Sequence, residues 1–188
     1  TYQKILSEAI DELKENEFKE LYKSDTSKPK EFIKDVQIDT DFELLFPDNY
    51  INSISERLNL YNELSSTKSS DELLDFEKRL IDRFGELPVQ AIDLLDSVRL
   101  KWLAKEIGLE KVILKQKRMI GYFISDQQSE FYQTEAFTKV LKYVQQNPTT
   151  SVMKEKQTKA GLRLLITFIK IDSVEVALKR LQKVLGRY

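Results

Sequence analysis

Four acidic residues lie close together near the start of the chain, at Asp39, Asp41, Glu43 and Asp48. Carboxylates at alternate positions of a β-strand share one face, where they could bind a divalent cation or act as a hydrolytic acid-base pair. A metal site would need further ligands, and the sequence offers no second acidic cluster to supply them. Acids on a solvated strand face mostly serve solubility, so a hydrolase built on this strand is the third of three functional hypotheses.

Residue types that are missing exclude most other catalytic chemistry. The 188 residues include no cysteine and no histidine, which excludes disulfides, zinc sites with nitrogen or sulfur ligands, and catalysis by imidazole or thiol. The five glycines have neither the dinucleotide-binding nor the P-loop spacing. We therefore expect no catalytic residue, no metal and no cofactor.

Basic residues with an aromatic residue nearby form two clusters, each in a predicted β-hairpin. Lysines on hairpins could follow a phosphate backbone, although lysines on edge strands also prevent edge-to-edge aggregation. With 30 basic and 31 acidic residues, the net charge of -1 gives no overall attraction to nucleic acid. A nucleic-acid-binding module is the second hypothesis, and it would use Lys115, Lys117, Arg118 and Tyr122 together with Lys154, Lys156, Lys159 and Arg163.

A charged stripe is predicted on the helix that ends in LIDRFGELP, residues 80–88. Asp75, Arg79 and Asp82 are spaced i, i+4 and i+7, so they share one exposed face. Both spacings favour ion pairs within the helix, worth a few tenths of a kcal/mol each. The residues alone favour such a self-contained ladder, with a contact surface as the alternative. Gly85 is predicted to end this helix and Pro88 to begin the next.

Hydrophobic periodicity places these groups on an α+β fold, in which a small antiparallel sheet of hairpins packs with several amphipathic helices. A strand with one wet face is predicted over residues 36–46. Three helices follow, beginning at Ser53, at Ser69 or Ser70, and at Pro88. The inward positions of these helices are predicted to be Ile54, Leu58, Tyr61 and Leu64 in the first, Leu73, Phe76, Leu80, Ile81 and Phe84 in the second, and Ala91, Ile92, Leu95, Val98, Trp102 and Leu103 in the third. Hairpins over 111–125 and 151–170 alternate with helices over 134–146 and from Ser173.

Two parts are predicted along the chain. Residues 1–30 form an amphipathic helix and a polar linker, and residues 31–188 form the domain itself. The chain begins with Thr1 and enters helical periodicity at once, which indicates a piece of a longer polypeptide. The longest apolar run, residues 164–169, is too short to span a membrane, so we expect no membrane partner and a cytoplasmic location.

Three segments together resemble a known family. They are VQI at 36–38 with FELLFPDNYI at 42–51, RLNLY at 57–61, and LIDRFGELP at 80–88. In this order and at these distances they resemble the C-terminal domain of the bacterial transcription-repair coupling factor, the Mfd family. The resemblance is good from about residue 32 to residue 108, and beyond that only the order of elements is similar.

The resemblance implies a non-catalytic, regulatory domain of a large ATP-dependent DNA translocase that removes stalled RNA polymerase and recruits nucleotide excision repair. ATP and magnesium would be bound by the motor, which would lie N-terminal to residue 1, and residues 1–30 would connect the two. The domain would act as an autoinhibitory clamp that docks on the UvrB-like module of the same chain. Docking would mask the surface that binds UvrA and restrain the translocase, so UvrA, RNA polymerase and DNA would be reached only through the whole protein.

The resemblance also implies which residues make the clamp contact. Acidic side chains on the LIDRFG helix would pair with arginines of the UvrB-like module, and Asp82 stands at one such position. The other expected acidic position is Arg79 here, which could neutralise Asp82 within the helix. Asp75, Glu77 or Glu86 could take its place, so the predicted contact set is Asp75, Glu77, Arg79, Asp82 and Glu86.

Overall fold

The computed structural model describes residues 31–187, and the predictions for residues 1–30 lie outside this range. The predicted domain boundary near residue 30 therefore stays a prediction. Five α-helices and five strands make up the described part, with a single 3-10 turn at Glu130–Gln133. In chain order they are β1 Gln37–Thr40, α1 Ile54–Ser65, α2 Ser70–Phe84, α3 Val89–Ile107, β2 Leu109–Lys115, β3 Arg118–Phe123, α4 Glu135–Gln146, β4 Ser151–Thr158, β5 Gly161–Ile169 and α5 Val174–Val184.

The five strands form one sheet in the order β1-β2-β3-β5-β4. The β2–β3 and β4–β5 hairpins are antiparallel, and β3 and β5 join them, also antiparallel. The predicted α+β fold of hairpins and amphipathic helices is confirmed. One detail differs, because β1 lies parallel to β2, with Gln37 opposite Lys111, and the sheet is therefore mixed.

Strand β1 is much shorter than predicted. It ends at Thr40, whose hydroxyl donates to the Leu114 carbonyl at 2.7 Å and accepts the Phe42 N–H at 3.1 Å. This side chain takes over the backbone bonds that a longer strand would make, and the chain turns away from the sheet. Asp41 and Glu43 therefore do not share a strand face with Asp39, and the arrangement behind the hydrolase hypothesis is absent.

Local capping explains where the helices begin. Ser53, Ser69, Thr134 and Ser173 each accept a hydrogen bond from the backbone N–H three residues later, as expected of N-cap residues. These starts were predicted, and they are confirmed. None of the helices among residues 31–187 is both long and apolar enough to cross a membrane.

The buried side chains of residues 31–187 form two separate cores. The first, the sheet core, lies between one face of the sheet and α3, α4 and α5. The second, the lobe core, is enclosed by α1, α2, the N-terminal half of α3 and the loop of residues 46–51, which together we call the helical lobe. Helix α3 belongs to both, since Ala91 and Leu95 lie in the lobe core and Leu100, Ala104 and Ile107 lie in the sheet core.

The rotation of α1 differs from the prediction. Ile54 and Leu58 were expected in the core, but they are 67% and 57% exposed, whereas Leu60 and Leu64 are buried. A polar contact on the buried side of α1 accompanies the difference. The Arg57 guanidinium donates to the Ile51 carbonyl at 2.6 Å, which favours the side of the helix that carries Leu60 and Leu64 facing the lobe core.

Candidate functional site

Aromatic and basic residues of the recognised segments hold α2 in place. The Tyr61 hydroxyl accepts the Phe46 N–H at 2.8 Å, and the two rings stack with centroids 4.9 Å apart. The Tyr50 hydroxyl donates to the Gly85 carbonyl at 2.8 Å at the end of α2. Burial raises the pKa of the Tyr50 hydroxyl. These segments thus build the lobe that presents α2, which is a structural role.

Ion pairs between helices replace the ladder predicted within α2. Arg79 pairs with Glu63 of α1, so it does not neutralise Asp75 or Asp82, and the predicted ladder is wrong. Glu77 lies 3.4 Å from Arg99 of α3. A long arginine side chain can reach a neighbouring helix as easily as its own next turn, and the prediction considered only contacts within one helix.

Two of the predicted contact residues on the outward face of α2 lack an ion-pair partner within residues 31–187. Asp75 and Asp82 are exposed and form no ion pair with any residue between 31 and 187. Lys78 lies between them on the same face but lies within 4 Å of neither carboxylate. Glu86, in the loop after Gly85, is also exposed and unpaired among these residues. Of the five predicted contact residues, the structure leaves three available and places Glu77 and Arg79 in contacts within the lobe.

Apolar side chains lie beside this acidic stripe. Leu74 and Ile81 are 45% and 42% exposed and occupy the flank of α2 that faces α3. Ile81 was expected in the core, and that prediction is wrong. Leu74 and Ile81 are spaced i, i+7, and each directly follows a buried leucine, Leu73 or Leu80. This pattern is a sequence signal that could have identified them. We call Asp75, Asp82, Leu74 and Ile81 the α2 stripe.

Both predicted basic clusters lie on the two hairpins, with Lys117 and Lys159 in the turns and the other members on strands. Lys115 and Arg118 flank the β2–β3 turn, in which Gln116 and Lys117 have positive φ. Lys154, Lys156 and Arg163 lie on β4 and β5, and β5 pairs with β3. The structure therefore brings the two clusters onto neighbouring strands.

An acidic cleft opens between the loop after β1 and the N-terminal ends of α3 and α5. Burial raises the pKa of Asp93, and the nearby carboxylates of Asp96 and Glu175 raise it further. Burial also raises the pKa of Asp96, although Arg99 at 2.9 Å opposes the shift. Within residues 31–187, no group of three or more acidic side chains is placed to hold a metal ion. The cleft is lined by Asp41, Glu43, Val89, Ile92, Asp93, Asp96 and Glu175.

Replacing Asp93 by asparagine is expected to stabilise the fold at neutral pH. A carboxyl whose pKa is raised by folding lowers the free energy of unfolding as pH rises above its ordinary value of 3.8. Because the group is partly solvated, the gain should be below about 1 kcal/mol. The gain is measured from urea midpoints of both proteins at neutral pH and at about pH 3, where Asp93 is mostly protonated in the folded and the unfolded state. The gain should vanish at the lower pH, and an equal gain at both pH values would contradict the electrostatic cause.

Comparisons with known proteins agree with this architecture. The model of the TRCF domain matches residues 40–134, about half of the chain. The chain belongs to the TRCF domain family. It is 26% identical over 178 residues to the transcription-repair-coupling factor of Staphylococcus aureus (strain USA300), covering 89% of this chain and 14% of the relative. It is 34% identical over 114 residues to that of Escherichia coli (strain K12), covering 59% of this chain and 9% of the relative.

A solved structure has the same fold. The crystal structure of a C-terminal domain of transcription-repair coupling factor superposes with a TM-score of 0.59 at 17% identity, covering 81% of this chain and 94% of that one. The chain spans only about a seventh, or less, of the length of the two relatives named above. The matched family region contains all of the helical lobe and the β2–β3 hairpin.

Proposed function

We propose that this chain is the autoinhibitory C-terminal domain of a bacterial transcription-repair coupling factor, and that it is not itself an enzyme. It docks through the α2 stripe on the UvrB-like module of the same polypeptide, masks UvrA binding and restrains the DNA translocase. The domain needs no cofactor of its own, and the whole protein is cytoplasmic. RNA polymerase, UvrA and DNA are partners of the whole protein.

The observation that carries the proposal is the pairing pattern on α2. Three charged side chains of α2 are used within the lobe: Arg79 pairs with Glu63, Arg83 with Glu56 and Glu77 with Arg99. Asp75 and Asp82 keep their charge available, and Leu74 and Ile81 beside them supply apolar area. Acidic groups beside an apolar strip suit a partner surface that carries arginines. A carboxylate–arginine ion pair contributes more binding free energy once the apolar contact excludes water from the interface.

Arg79 does not oppose this docking, although it stands where the family expects an acid. Its guanidinium pairs with Glu63 and leaves the acidic stripe unneutralised. Asp75, one turn before Arg79, takes the second acidic position in the proposal. The clamp therefore uses a carboxylate pair seven residues apart, Asp75 and Asp82, about two turns along the same face.

Titration of this chain against the separately produced UvrB-like module of its own parent protein tests the proposal. We expect binding that Asp82→Arg weakens at least about tenfold, because a like charge is then forced against partner arginines, and that Asp75→Arg weakens less strongly. Asp35→Arg makes the same charge change at an exposed position of the chain outside the lobe and serves as the control. Equal weakening by all three variants, or no binding at millimolar concentration, would disprove docking through this stripe.

A further inference from the structure

The outer face of the sheet, opposite the helices, has an unusual composition. Side chains alternate between the two faces of a strand, and the core face carries Val112, Leu114, Met119, Ile166 and Phe168. Four apolar residues of the outer face are buried or partly buried but belong to neither core. These four are Ile113, Ile120, Leu165 and Ile169.

Cations surround this apolar strip. The register sets Lys154 opposite Leu165, which is itself opposite Tyr122, and sets Lys156 opposite Arg163. The bulge between Leu109 and Lys111 brings Lys111 opposite Tyr122 on the next strand. The outer face thus gathers cations from both predicted hairpins, which the sequence showed only as separate clusters. Its six cations are Lys111, Lys115, Arg118, Lys154, Lys156 and Arg163.

Within residues 31–187, only two of these six cations form ion pairs. Lys115 lies 3.1 Å from Asp39, and Arg163 lies 2.8 Å from Glu110. The other four, Lys111, Arg118, Lys154 and Lys156, form no ion pair with residues 31–187. In a chain of net charge -1, this concentration of unpaired cations makes one face of the domain attractive to a polyanion.

An aromatic ring lies at the centre of the face. Tyr122 is half-buried, with the Arg163 guanidinium 5.3 Å and the Lys111 ammonium 6.0 Å from its ring centroid. These cation-π contacts hold the ring among the cations. A sheet face that combines an aromatic ring with surrounding cations is suited to an unpaired base stacked on the ring and to phosphates at the cations.

We propose that the outer face of the sheet binds single-stranded DNA. Phosphates bind at Lys111, Arg118, Lys154 and Lys156, and one base stacks at Tyr122. An acidic peptide would leave the ring unused, and a duplex presents no unpaired base to it. Binding depends on backbone charge and stacking, so it should be tolerant of sequence. This activity is independent of docking through the α2 stripe.

Fluorescence anisotropy of the 188-residue chain with a labelled oligothymidylate of about 20 nucleotides tests the proposal. Four phosphate contacts to a single strand predict a slope of about -3 for the logarithm of affinity against the logarithm of salt concentration. The pair Lys154→Glu and Lys156→Glu should weaken binding more than about tenfold and reduce the slope by about half. Tyr122→Leu should weaken binding about tenfold with the slope unchanged, since it removes stacking and no charge.

A matched control distinguishes loss of affinity specific to the outer face from loss caused by the change in net charge. Lys139 and Lys142 are exposed on α4, away from this face, so Lys139→Glu with Lys142→Glu makes the same charge change and should alter affinity less than about twofold. Circular dichroism confirms that each variant is folded. If Tyr122→Leu disturbs the sheet, the variant Lys154→Glu with Lys156→Glu still decides the outcome, because both lysines are exposed. Absence of binding at low salt overturns the proposal, as does equal weakening by both lysine pairs or tighter binding of a duplex. Asp82→Arg should leave DNA affinity undiminished, so this result and the docking result are distinguishable.

Discussion

Gly108→Ala is expected to destabilise the protein by about 2 to 5 kcal/mol. Gly108 ends α3 with φ at +88°, a left-handed conformation that costs an L-residue about 1 to 2 kcal/mol. A Cβ at this position would overlap the ring of Phe131. That ring cannot easily move, because it is 2% exposed and packs edge-on against Phe32, Tyr132 and Phe137.

Urea unfolding of Gly108→Ala beside Gly186→Ala separates the two causes. Gly186 also has a positive φ, +74°, but a Cβ there would meet nothing within 4 Å. The control should therefore show only the conformational cost, and the difference between the two variants measures the clash with Phe131. Equal losses of unfolding free energy would mean that the aromatic cluster yields to the methyl group.

Phe76→Ala is expected to cost about 3 to 5 kcal/mol and to act first on the helical lobe. Phe76 is 1% exposed in the lobe core, near Phe46, and no described residue of the sheet core shares its cluster. Trp102, the only tryptophan, packs against the lobe core. Its fluorescence should therefore change at a lower denaturant concentration than the far-UV circular dichroism of the whole domain.

Phe168→Ala provides the comparison for the sheet core. Phe168 is fully buried there. Its removal should therefore lower the denaturant midpoints of the Trp102 fluorescence and of the far-UV circular dichroism together. If Phe76→Ala instead gives coincident transitions with the same shift as Phe168→Ala, the two cores unfold as one cooperative unit. In that case, the division into lobe and sheet has no thermodynamic meaning.

Features that depend on neighbours in the chain could be predicted from the sequence. The caps at Ser53, Ser69, Thr134 and Ser173 involve only the next three residues, and the two hairpins are set by short turns. These local rules gave the helix starts and the α+β class. The parallel pairing of β1 with β2 could not be predicted, because alternation shows which face of a strand is wet and says nothing about its partner.

Contacts between elements decided the parts that were predicted wrongly. Residues 41–46 alternate between apolar and polar like a strand. However, the Thr40 hydroxyl forms the hydrogen bonds that the backbone of a longer strand would form, so residues 41–46 are a loop whose apolar side chains pack into the cores. Arg79 was assigned to its own helix, yet Glu63 of α1 lies within reach. Because the energies of exposed ion pairs are small and similar, tertiary geometry chose the partner. Spacing alone placed Asp75 and Asp82 on one exposed face, while the exposed apolar flank beside them was not predicted.

Helix α3 has a mechanical consequence for any partner that holds the α2 stripe. Its 19 residues form a rod about 28 Å long, with one end packed in the lobe core and the other in the sheet core. Tension applied at α2 would pass along this rod into the sheet, since α3 runs from one core into the other without a break. The domain would then move as one stiff body under a pulling force, until the smaller core around Phe76 gave way.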